Sequence, residues 1–143
     1  AETKKADSLF SLGADDQRRY EEALEIYKKL LIDSSLSPDA KLLVSYKIAR
    51  TLEKLRRIDE ALDGYYSGVV IAYRDNRENG VYYSDESRAA FVRAAFALAD
   101  EYENRGKDAQ AVNILRLVAM SDVAAAEEAR KRINRIEMKG RFL

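Results

Sequence analysis

Tyr20-Glu21-Glu22-Ala23, Ile58-Asp59-Glu60-Ala61 and Asp108-Ala109-Gln110-Ala111 are three renderings of one phrase, each followed four positions later by a large side chain: Tyr27, Tyr65 and Leu115. Positions four apart share one face of a helix, so every phrase sets a small residue beside a large one. The small residue lets a second helix cross closely, and the large one fills the groove next to that crossing. Recurrence of the phrase predicts repeated helical hairpins and an all-α chain.

Working outward, Tyr20, Ala23, Leu24, Tyr27, Leu30 and Leu31 form one apolar stripe, broken by Ser34, Ser35 and Ser37. Ser37-Pro38 is a start signal, since the hydroxyl caps free amides and proline fits a first-turn position that needs no donor. The next helix is predicted from Pro38 to about Leu55, with Val44, Ile48, Ala49, Leu52 and Leu55 inward. After Arg56 and Arg57 comes a run carrying Leu62, Tyr65, Tyr66, Val69, Val70 and Tyr73. Periodicity lapses from Arg74 to Glu86, where Asn79-Gly80 favours a turn and Ser84 or Asp85 can cap the following helix. Phe91, Ala94, Ala95, Leu98, Ala99 and Tyr102 lead to Gly106, which suits a left-handed terminus. Ala111, Ile114, Leu115 and Val118 follow. A last helix is predicted to open at Ser121 or Asp122 and to face Val123, Ala126, Ala129, Ile133 and Ile136 inward. At the front, Ala6, Leu9, Phe10 and Leu12 predict a short helix ending near Gly13, giving about seven helices and no competing strand pattern.

The composition bounds the chemistry. With 143 residues, 47% hydrophobic, the chain can bury one core, and a single domain over 1–143 is expected. No histidine and no cysteine occur, which removes imidazole bases, thiolates, disulfides and the usual zinc ligands. Twenty-five basic and 25 acidic residues cancel, so no global field favours nucleic acid. No apolar run reaches the roughly 18 residues of a membrane span. No paired carboxylates stand in an apolar setting, no glycine-rich loop precedes a helix, and Asp15-Asp16 and Glu21-Glu22 read as solvated. No catalytic residue, metal ligand or cofactor is expected, and the chain is read as non-enzymatic.

With its small-large phrase, the chain resembles the tetratricopeptide repeat (TPR) family, whose unit of roughly 34 residues is a helix, a turn and a helix. Ile48-Ala49, Leu52, Ala61 and Tyr65 match that pattern best; Leu98-Ala99, Tyr102, Gly106 and Ala111 match it again. The phrase alanines stand 38 and 50 residues apart, so both units are long, and the family's tryptophan is missing. The resemblance implies a right-handed α-solenoid of about three TPR-like helix-turn-helix units (about 4–35, 38–75 and 85–120) with a C-terminal capping helix (about 122–138).

It further implies a concave groove, lined by the first helix of each unit, that binds a peptide or helix of a protein partner. Carried onto this chain, the groove row is Tyr46, Arg50 and Lys54 in the second unit and Arg93, Phe96 and Asp100 in the third. The other reading of these positions is solvated charges beside partly buried rings. Members that grip chaperone C-termini use lysine and asparagine where Tyr46, Arg50, Phe96 and Asp100 stand, so that activity is not expected here. The lengthened units are loosely similar to bacterial envelope TPR proteins, which favours the periplasm or cell envelope. A self-assembling structural segment or an accessory subunit of an envelope complex is the alternative, with the N-terminal edge as a possible homo-oligomer contact.

Two other features invite a reading. Tyr82 and Tyr83, on the connection from Asn76 to Glu86, form either a protruding contact element or rings folded over the neighbouring helix. Arg130, Lys131, Arg132, Arg135, Lys139 and Arg141 make the C-terminus locally basic, which the helix dipole favours without any ligand, the other reading being a patch for an acidic partner.

Overall fold

The computed structural model describes residues 2–140, in which seven helices follow one another: α1 (Glu2–Leu12), α2 (Gln17–Ile32), α3 (Pro38–Lys54), α4 (58–78), α5 (Asp85–Asn104), α6 (Asp108–Ala119) and α7 (Ala126–Lys139). No strand occurs among the described residues. The local start signals act as their chemistry dictates. Ser37 Oγ accepts the Ala40 amide at 3.1 Å with Pro38 in the first turn, and Ser84 Oγ accepts the Ser87 amide at 3.2 Å.

The α3–α4 and α5–α6 turns share one geometry. Arg57 N–H reaches back to the Leu52 carbonyl at 2.9 Å, and Lys107 N–H to that of Tyr102 at 2.7 Å. Arg56 N–H bonds the Glu53 carbonyl and Gly106 N–H that of Glu103, each at 3.0 Å, completing a Schellman motif twice. The left-handed residue is Gly106 (φ 75°) in one turn and Arg56 (φ 64°) in the other. Glycine adopts that conformation freely; arginine does so against the steric preference of its Cβ.

Two boundaries correct the sequence reading. The helix after Arg57 does not lapse at Arg74 but runs to Glu78, so the connection into α5 is only 79–84. Its middle, Gly64–Ile71, is π-helical. There a Cβ on Gly64 would stand 3.2 Å from that of Ala49, and one on Gly68 3.0 Å from that of Ser45, so small residues on both helices set how closely α3 and α4 cross. The last helix opens at Ala126 rather than at Ser121 or Asp122. Val123 is folded into the core, and Asp122 receives Arg77 at 3.3 Å and Arg88 at 3.6 Å, which holds that stretch outside a helix. The first helix ends at Leu12, as its pattern predicts, with Leu12 itself 52% exposed.

Each helix packs on the next, and the odd-numbered helices also touch one another in the same direction. Asp7 and Phe10 of α1 meet Lys47 and Arg50 of α3. Asp39, at the start of α3, accepts from Ser84 and Ser87 at the start of α5. Asp100 and Glu103 of α5 meet Arg132 and Arg135 of α7. The largest apolar cluster joins α3, α4, α5 and α6 around Tyr73, whose ring stacks on Phe91 at 4.1 Å and on Tyr83 at 5.0 Å. Ala23, Ala61 and Ala111 are at most 1% exposed. Each shares an apolar cluster with the first helix of its own hairpin, through Ala6, Leu52 and Ala99, and with a residue outside that hairpin: Val44, Leu24 and Ile136.

Candidate functional site

Side-by-side contact of α1, α3 and α5 leaves a cleft of about 280 Å³. Asp7, Phe10 and Ser11 form the α1 wall, Leu43, Tyr46, Lys47 and Arg50 the α3 wall, and Glu86, Ala90 and Arg93 the α5 wall, with Tyr27 of α2 behind them. Arg93 also borders a second recess of about 420 Å³, bounded by Asp85, Arg88, Ala89 and Val92 of α5 and by Val123, Ala124 and Ala125. Arg93 is thus a wall residue of both recesses.

Polar pairing fixes the α1 side. Tyr27 Oη donates to Asp7 Oδ1, and Lys47 Nζ donates to Asp7 Oδ2 at 3.0 Å. Burial, with the Asp7 carboxylate as hydrogen-bond acceptor, pushes the Tyr27 phenol well above its ordinary value, so it is a donor and not a base. Lys47 thus has its counter-ion in Asp7. Arg50 lies over the Phe10 ring at 4.1 Å, and Tyr46 packs against Tyr65 at 6.0 Å. Among the described residues, neither Arg50 nor Arg93 has a carboxylate within ion-pair distance.

The sequence-derived groove row divides. Tyr46, Arg50 and Arg93 come together in the cleft, while Lys54 is exposed further along α3 and does not line it. Phe96 and Asp100 face α7 instead. Arg132 covers the Phe96 ring at 4.1 Å and bonds Asp100 at 3.3 Å. The tyrosine pair divides too. Tyr83 is buried and its hydroxyl accepts from Asn76 Nδ2 at 2.8 Å, whereas Tyr82 is 82% exposed with Arg77 lying 4.9 Å from its ring centre.

The C-terminal basic run has specific partners beyond a helix dipole. Arg135 and Lys139 donate to Glu103 at 2.8 and 2.7 Å, Lys139 also reaches Asp108 at 3.4 Å, and Arg132 bonds Glu128 at 3.2 Å. The hydrogen bonds from Arg135, then those from Lys139, hold the Glu103 carboxyl down at about 2. Arg141 lies outside the described residues.

The sequence reading missed Asp7, Phe10, Tyr27 and Lys47. Asp7 and Phe10 are one helical turn apart, as are Lys47 and Arg50, and that pairing was the available signal. A separate small cavity of about 60 Å³ holds Glu53 and Glu101. Glu53 accepts from Tyr65 Oη at 2.7 Å and Glu101 from Arg105 at 2.9 Å, so each carboxylate has a donor of its own. Among the described residues no group of three or more acidic side chains is placed to hold a metal ion, and no helix is long and apolar enough to cross a membrane. No family model matches the chain, and neither a curated protein nor a solved structure matches it.

Proposed function

We propose that the chain is a non-enzymatic protein-binding module. In this reading its hairpins α1–α2, α3–α4 and α5–α6 are three TPR-like units of a right-handed α-solenoid, closed by α7, and their leading helices line a trough for a peptide or helix of a partner. One observation carries it. Tyr46, Arg50 and Arg93, expected to share a groove, line one cleft between leading helices that run in the same direction. The composition of that cleft also fits recognition, since tyrosine and arginine are enriched where binding energy concentrates. Nothing in the reading needs a reacting group: the Tyr27 phenol is held protonated, and Glu53 and Glu101 already have donors.

The test is quantitative capture from extract with the wild-type chain beside the Tyr46→Ala, Arg50→Ala, Arg93→Ala triple variant. A partner that loses most of its retention on the variant supports the trough. A partner held equally by both chains dismisses it. Sedimentation of the wild-type chain at several concentrations separates this module from a self-assembling segment, which would grow in mass as concentration rises.

A further inference from the structure

Three arginines lie on aromatic rings: Arg50 on Phe10 at 4.1 Å, Arg132 on Phe96 at 4.1 Å and Arg77 on Tyr82 at 4.9 Å. Stacking engages the faces of the guanidinium and leaves its in-plane N–H fork for an acceptor. Two of the three forks have one. Arg132 donates to Asp100 at 3.3 Å and Glu128 at 3.2 Å; Arg77 donates to the Val81 carbonyl at 3.0 Å and Asp122 at 3.3 Å. Arg50 is the exception, for its donors meet no acceptor among the described residues. It is also the one that borders the inner cleft.

We propose that the missing acceptor comes from the partner: the cleft receives a side-chain carboxylate of an acidic segment, held by the Arg50 fork with Arg93 as the second cation. This rests on reading the cleft as a peptide trough. Charge around the cleft supports the sign. Its walls carry three cations, Lys47, Arg50 and Arg93, against two carboxylates, Asp7 and Glu86. Asp7 is already committed to Lys47, and Glu86 forms no ion pair among the described residues, so the excess is positive where the two arginines stand. The Phe10 ring orders Arg50 before anything binds, which lowers the rotamer entropy lost on pairing with a carboxylate. A carboxylate also matches the fork with two parallel bonds, a geometry that lysine does not offer. Leu43 and Tyr46 on the same wall of the cleft supply apolar surface for a neighbouring aliphatic side chain of the same segment.

The experiment uses fluorescence anisotropy with a short labelled peptide of alternating glutamate and leucine, acetylated and amidated so that its ends are neutral. Its twin has glutamine for glutamate. The acidic peptide is expected to bind at least about tenfold more tightly than the twin, to weaken as salt rises, and to lose about tenfold on Arg50→Gln and again on Arg93→Gln. Equal binding of the two peptides, indifference to both arginine substitutions in variants of unchanged helicity, or no binding of the acidic peptide overturns the inference. So does a glutamine peptide with a free C-terminus that binds as tightly as the acidic one, because the recognised group is then a chain end. If Tyr46→Ala weakens the acidic and glutamine peptides alike while the arginine variants do nothing, the trough survives and its charge preference falls. If binding ignores all three substitutions and perturbs amides around Tyr82, both readings fall.

Discussion

Arg50 on Phe10 and Arg132 on Phe96 are the same contact made twice, each at 4.1 Å, between an odd-numbered helix and the next odd-numbered helix along the chain. Their surroundings differ. α5 ends in carboxylates, and Asp100 and Glu103 take Arg132, Arg135 and Lys139, so the α5–α7 contact is a closed ionic seam. α1 brings only Asp7 to α3, already shared between Lys47 and Tyr27, and the stacked Arg50 is left facing open space. An arginine on a ring is therefore a fastening where its neighbour supplies acceptors, and keeps its donors open where it does not. The same hairpin pattern thus gives one end of this face a lid and the other a cleft.

The closed seam should respond first and most strongly. Ile136 of α7 is 4% exposed and shares an apolar cluster with Ala99 of α5 and with Ala111, Val112 and Leu115 of α6. Ile136→Ala should lower unfolding free energy by about 2–4 kcal/mol in a urea titration, through the lost apolar contact and the cavity left behind. A loss below about 1 kcal/mol would mean that α7 only rests on the fold, and the contrast with the cleft would dissolve. Next comes the ionic part. Glu103→Gln should cost roughly 1–2 kcal/mol, since it removes a charged acceptor from two donors. Its pH dependence has a definite sign. The folded carboxyl sits at about 2 instead of the usual 4.5, so its contribution is fully present above 4.5 and is lost as pH falls from there toward 2. The wild-type urea midpoint should therefore fall more steeply between those limits than that of the Glu103→Gln variant.

Legibility in the sequence followed how local each determinant was. Ser37, Pro38, Ser84 and Gly106 act on backbone groups a few residues away, and they stand where their chemistry places them. The opening of α7 depends on Arg77 and Arg88, more than thirty residues upstream, which hold Asp122 outside the helix; no spacing within 121–126 carries that. Phe96 reads as a groove candidate because the spacing along α5 puts it beside Arg93 and Asp100, but its cover is set by where Arg132 arrives from α7. Arg50 and Tyr46 are visible as a row, whereas Phe10, which orders Arg50, belongs to a helix whose register the sequence leaves open. The turns sharpen this point. Arg56 occupies the left-handed position that Gly106 fills in the next hairpin, and only the backbone reveals it. Arg56→Gly should raise stability by about 0.5–1 kcal/mol, the relief of Cβ strain being partly offset by the extra freedom of glycine in the unfolded chain. A decrease would mean that the arginine side chain makes a contact that outweighs its strain.

The smallest effect separates the two stacks most directly. Arg132→Ala removes a ring contact and the bonds to Asp100 and Glu128, and should cost about 1 kcal/mol. Arg50→Ala removes a ring contact alone, and should cost about 0.5 kcal/mol or less. The pair is measured in the same urea series, where the difference matters more than either value. If Arg50→Ala destabilises the chain as much as Arg132→Ala does, its donors serve the fold and there is no reason for them to await a carboxylate. If the cost is small, the chain keeps an ordered guanidinium at an open cleft for little stability in return, and that cation is free to act on a partner.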